Sequence, residues 1–139
     1  MREILVIDDD DAVRATIIAH LARIDARISD FSDARDALKL MASRKFDLVI
    51  CDLFMPELDG LKFIAEARRI HPSLPVILIS GGGQMFPVGG KGFGNLAKTA
   101  GYLGASQVLE KPFRGRQMRE MVNSLLPPVP PGEPCLSAS

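Results

Sequence analysis

Short apolar runs alternate with stretches of helical periodicity along this chain, and the alternation repeats five times. Ile4-Leu5-Val6-Ile7 is continuous and rich in β-branched residues, the pattern of a strand covered on both faces. Val13, Ile17, Ile18 and Leu21 then recur at helical spacing behind Asp11, which is expected to cap that helix. Ala26 to Phe31 reads as a weaker strand, after which Ser32 or Asp33 is placed to cap a helix carrying Ala34, Ala37, Leu38 and Met41. Asp47-Leu48-Val49-Ile50-Cys51 predicts a third buried strand that runs into Asp52. A turn from Met55 to Gly60 leads to a helix bearing Leu61, Phe63, Ile64 and Ala67. Pro72 and Pro75 end that helix and open a fourth strand, Val76-Ile77-Leu78-Ile79. A short helix from Asn95 to Leu103, a weak strand from Ser106 to Leu109 and a last helix from Arg114 to Leu126 complete the pattern.

Strands that alternate with helices argue for a parallel sheet covered on both faces. Such sheets bind ligands at the carboxyl ends of their strands, near the switch in strand order. The candidates are therefore the polar residues that directly follow the apolar runs. They are Asp8 and Asp9 after the first, Asp52 after the third, Ser80 after the fourth and Lys111 after the fifth. Carboxylates brought together repel and raise one another's pKa unless a cation sits among them. Hard oxygen ligands, few in number and with room for water, suit Mg²⁺ better than Zn²⁺. A carboxylate beside Mg²⁺ and a lysine ammonium is placed to attack phosphorus and become an acyl phosphate. A hydroxyl at Ser80 is placed to bond a phosphoryl oxygen after transfer.

Composition narrows the class. Seventeen basic residues balance seventeen acidic ones, so no global field draws nucleic acid or an anionic membrane. Hydrophobic residues make up 47% of the chain, as in a soluble globular domain. No apolar run approaches the roughly 20 residues of a membrane span, and the N-terminus lacks the pattern of a signal peptide. Cys51 lies in an apolar run and Cys135 in a Pro-rich tail, which is no disulfide framework, so a reduced, cytoplasmic location is expected.

The fragments Ile-Leu-Val-Ile-Asp-Asp (4–9), Asp-Leu-Phe-Met-Pro-Glu-Leu-Asp-Gly (52–60), Ile-Leu-Ile-Ser (77–80) and Glu-Lys-Pro-Phe (110–113) resemble, in order, the signatures of the two-component response regulator receiver family. Each fragment alone is weak; the ordered set is specific. The resemblance runs from Arg2 to Leu126 and implies a flavodoxin-like, doubly wound α/β fold with five parallel strands in the order 2-1-3-4-5. It implies Asp52 as phosphoacceptor and Asp8 and Asp9 as metal-binding residues, with the Phe54 carbonyl completing the Mg²⁺ shell. It also implies Ser80 as the switch hydroxyl, Lys111 as the partner of the phosphoryl group and Pro112 as a cis proline. The expected partner is a histidine kinase or a histidine phosphotransfer protein. A downstream protein would read the face formed by the fourth helix and fifth strand, with the chain a monomer or weak dimer.

On this reading residues 1–126 are a stand-alone receiver of the chemotaxis-regulator type, and 127–139 are a Pro-rich tail with no output domain. The chain departs from the family in three places. A segment from Gly81 to Gly94, with seven glycines, is inserted before the fourth helix and is expected to be mobile or ordered by a partner. Val108 stands where the family usually has an aromatic residue. Phe54 is bulky and apolar where many relatives are smaller or polar, which suggests slow hydrolysis of the acyl phosphate.

Plainer readings apply to other residues. Asp10 and Asp11 fit helix capping and surface charge, His20 and His71 fit surface positions, and Cys51 fits a small buried hydrophobe. Gly90-Lys91 is no phosphate-binding loop, because Met85 stands where the first glycine belongs and Gly92 replaces Ser or Thr. Two other functions compete. A phosphohydrolase acting through an aspartyl phosphate typically carries a second acid two residues after its nucleophile, where this chain has Phe54. A degenerate receiver would be a protein-binding module that works without phosphorylation.

Overall fold

The runs at 4–7, 48–51 and 76–79 become strands because they are apolar on both sides, and only the middle of a sheet covered by helices on both faces buries both sides. The computed structural model describes residues 2–52, 60–80, 106–110 and 113–127, and gives the backbone alone at 60, 61 and 80. The strands are β1 (Glu3–Ile7), β2 (Arg27–Phe31), β3 (Leu48–Asp52), β4 (Val76–Ser80) and β5 (Gln107–Glu110). They form one sheet in the order β2-β1-β3-β4-β5, every pair parallel. The fold and strand order expected from the sequence are those observed.

The helices α1 (Asp11–Leu21), α2 (Ala34–Met41), α3 (Gly60–Ile70) and a C-terminal helix (Gly115–Leu125) cover the two faces. Strand alternation divides the core accordingly. Leu5, Ile7, Val49, Cys51, Val76 and Leu78 point to one face, where Ala34, Ala37 and Met41 of α2 and Phe63, Ile64 and Ala67 of α3 meet them. Ile4, Val6, Leu48, Ile50, Ile77 and Ile79 point to the other, under Ile17 and Leu21 of α1 and Met118 and Val122 of the C-terminal helix. Cys51 is fully buried among apolar neighbours, as expected.

The structure corrects the sequence reading at several points. Asp10, not Asp11, caps α1: its Oδ1 accepts from the N–H of Ala12 at 2.9 Å and of Val13 at 3.3 Å, and Asp11 is the first helical residue. Of the two candidates for α2, Asp33 is the cap. The histidines are half-buried instead of lying on the surface. The His20 ring meets Phe113 edge-on with centroids 6.1 Å apart, and His71 Nε2 lies 3.3 Å from the Met41 carbonyl. Both close seams between neighbouring elements, which periodicity within one helix does not reveal. The glycine-rich insertion 81–94, the helix expected at 95–103 and the tail from 128 lie outside the described residues.

Candidate functional site

Parallel strands all end on the same edge of the sheet, so the residues after them are gathered there by topology alone. Register places Ile7 beside Cys51, so Asp8, one residue past β1, comes level with Asp52, the last residue of β3. Ile79 pairs with Asp52, and Ser80 with Glu110. The backbone of Ser80 and the end of β5, just before Lys111, therefore share this edge.

Asp8, Asp9 and Asp52 converge: carboxylate oxygens from all three lie within 4.8 Å of one another. Asp8 is fully buried and Asp52 is 7% exposed, while Asp9 faces solvent. The turn that carries Asp8 is held from two sides. Its N–H donates to the Phe31 carbonyl at the end of β2, 3.1 Å away. Its Oδ1 accepts from the Asp10 N–H at 2.9 Å, while the Asp10 side chain in turn caps α1. One short acidic turn thus ties the ends of β1 and β2 to the start of α1.

Burying two carboxylates next to a third is unfavourable unless a cation compensates them. The donor set is all oxygen, with one exposed ligand open to water, and it fits a hard divalent cation such as Mg²⁺ better than Zn²⁺. Of the residues expected at the site, Asp8, Asp9 and Asp52 are brought together. Ser80 is placed by its backbone, and Phe54, Lys111 and Pro112 lie outside the described residues. Val108, which stands where the family usually has an aromatic residue, packs against the core on the α2–α3 face.

Sequence reasoning missed Arg14. Its guanidinium donates to the Asp8 carbonyl at 2.9 Å and to Asp30 Oδ2 at 2.8 Å, and the Asp30 bond holds its pKa above the usual value while burial opposes. The Asp11–Arg14 spacing of three was visible, but contact with Asp30 depends on β2 lying beside β1.

Comparison with known proteins agrees with this architecture. The family model of the response regulator receiver domain matches residues 4–123. The transcriptional regulatory protein SrrA of Staphylococcus aureus is 28% identical over 125 residues, covering 89% of this chain and 47% of SrrA. The chain spans about half the length of the curated relatives it matches. Among solved structures, the receiver domain of NtrX from Brucella abortus is 30% identical with a TM-score of 0.77, over 88% of this chain and 97% of that one. A response regulator receiver domain protein from Clostridium thermocellum is 26% identical with a TM-score of 0.77, over 90% and 94% of the two chains. Chemotaxis protein CheY4 of Vibrio cholerae, at 22% identity and a TM-score of 0.77 over 91% and 99%, shares the fold. Among the described residues no helix is long and apolar enough to cross a membrane.

Proposed function

This chain belongs to the response regulator receiver family, and from that premise we propose that it is a signalling switch that accepts a phosphoryl group on Asp52. The observation that carries the proposal is the convergence of the Asp8, Asp9 and Asp52 carboxylates at the carboxyl edge of the sheet. The donor is the phosphohistidine of a histidine kinase or histidine phosphotransfer protein in the cytoplasm, and residues 1–126 form the acting unit.

A carboxylate oxygen of Asp52 attacks phosphorus in line with the leaving imidazole. The new O–P bond forms as the P–N bond breaks, and the imidazole departs with the electron pair of that bond and takes up a proton from solvent. Asp8, Asp9 and Asp52, with the Phe54 carbonyl, would hold Mg²⁺, which when bound offsets the charge on the phosphoryl oxygens. The Lys111 ammonium pairs with the transferred group, and the Ser80 hydroxyl bonds one of its oxygens afterwards. Phosphorylation thereby adds negative charge at one edge of the sheet, and the face of the fourth helix and β5 passes the change to a downstream protein. Phe54 slows hydrolysis by covering the acyl phosphate. The protein is a switch that turns itself on and off, not a turnover enzyme.

A second reading has one observation in its favour. Val108 is packed inward against the core and is not aromatic, so the usual coupling of the switch hydroxyl to a rotating ring has no counterpart at this position. A binding module that works without phosphorylation would tolerate that loss. Intact-mass measurement after incubation with Mg²⁺ and a small acyl phosphate separates the two. The switch predicts a phosphate adduct that requires Mg²⁺ and is absent from Asp52→Asn. Equal uptake by that variant would remove Asp52 as acceptor, and no adduct on the folded wild-type protein would favour the binding module.

A further inference from the structure

The acidic turn is held together by a side chain that is not acidic. Arg14 lies in the first turn of α1 with its side chain only 16% exposed, and its guanidinium reaches three parts of the chain. Nη1 donates to the Asp8 carbonyl at 2.9 Å, Nε donates to Asp30 Oδ2 at 2.8 Å, and Nη2 pairs with Asp11 Oδ1 at 2.7 Å. Asp8 is the residue after β1, Asp30 lies in β2 in register with Val6, and Asp11 opens α1.

We propose that Arg14 is the positioning residue of the acidic turn, clamping the ends of β1 and β2 to the start of α1 so that Asp8 and Asp9 present their carboxylates to a divalent cation. The proposal rests on the metal-dependent switch described above. Two features point to positioning and not to charge alone. First, this bond to Asp8 is made to its backbone carbonyl, so it fixes the path of the chain without using the carboxylate. Second, the donors diverge from one planar group, a geometry that guanidinium offers and ammonium does not. A lysine at this position would place one nitrogen where three are used. Groups that orient ligands without touching the metal commonly change affinity by about 10–100-fold when removed.

The test is Mg²⁺ titration by calorimetry of wild type, Arg14→Ala, Arg14→Lys and Asp30→Asn, well below each protein's melting temperature. Amide exchange at Asp9 and Asp10 is measured alongside. Arg14→Ala should weaken Mg²⁺ binding about tenfold and speed exchange at both amides. Arg14→Lys should rescue neither, and Asp30→Asn should show a smaller loss in the same direction. A folded Arg14→Ala with wild-type affinity and wild-type exchange overturns the proposal. So does an Arg14→Lys that matches wild type in both, because charge alone would then suffice. If wild type itself binds no Mg²⁺, the metal-dependent switch fails, and exchange decides for Arg14: faster exchange in Arg14→Ala supports the clamp, and unchanged exchange overturns it.

Discussion

The two edges of the sheet use the same residue types for opposite ends. At the amino edge, Asp47 precedes β3, and its Oδ2 accepts from the Glu3 N–H at 2.7 Å while its own N–H donates to the Glu3 carbonyl at 2.8 Å. The Glu3 carboxylate pairs with Arg44, whose guanidinium lies 5.3 Å from the centre of the Phe46 ring. Asp47 and Glu3 each answer a donor, and the result is a fastening between β1 and the start of β3. At the carboxyl edge, Asp52 ends the same strand, and a carboxylate oxygen of it lies within 4.8 Å of oxygens from two further acids, Asp8 and Asp9. Acids dispersed among donors hold a fold together. Acids gathered against one another store a demand for positive charge, and that demand can be met by a ligand.

The largest expected effect breaks the carboxyl edge. Asp8→Ala should weaken Mg²⁺ binding by more than about 100-fold, since a direct ligand should outweigh the 10–100-fold range of an outer partner. Calorimetric titration checks this, and an affinity within a few-fold of wild type would separate Asp8 from the metal. Next, Mg²⁺ at about 100 times its dissociation constant should stabilise the wild-type fold by about 2.7 kcal/mol. Urea unfolding with and without the ion reads this directly, and Asp8→Ala should show almost none of it.

Breaking the amino edge should look different. Asp47→Ala leaves the Glu3 N–H without its acceptor and should cost about 1–2 kcal/mol in the same unfolding assay. Its Mg²⁺ affinity should stay at the wild-type value, and a large loss would mean that the two edges are coupled.

The smallest effect comes from Asp33, an acid at the carboxyl edge that behaves like those at the amino edge. Its bonds with the Arg35 side chain and N–H lower its pKa below the ordinary 3.8. A depressed folded pKa means that its contribution is present above the unfolded value and is lost as pH falls through the folded one, so the loss lies below pH 3.8. An NMR titration of the Asp33 carboxyl should place its midpoint below that value, and Asp33→Asn should leave Mg²⁺ affinity unchanged.

Much of this was legible in the chain, and the reasons differ by element. The strands were readable because burial on both faces leaves continuous apolar runs such as Leu48 to Cys51. The convergence of Asp8, Asp9 and Asp52 followed from those runs, because parallel strands end on one edge wherever their order places them. The strand order itself came from resemblance to a family, since periodicity within a strand says nothing about its neighbours. Arg14 escaped because its role depends on Asp30, sixteen residues away on an adjacent strand. His20 and His71 were misjudged for the same reason: their partners, Phe113 and Met41, are distant in the chain. Asp10 and Asp11 both suit a cap by residue type, and which of them serves depends on backbone angles and not on side-chain pattern.

The central claim is that the gathered acids exist to place a phosphoryl group on Asp52. Borohydride reduction of the protein after exposure to Mg²⁺ and an acyl phosphate converts an aspartyl phosphate to homoserine, and peptide mass spectrometry then locates it. The account predicts homoserine at position 52 only, dependent on Mg²⁺ and reduced in Asp8→Ala. Homoserine at another aspartate, or at position 52 at an equal level without Mg²⁺, would contradict it.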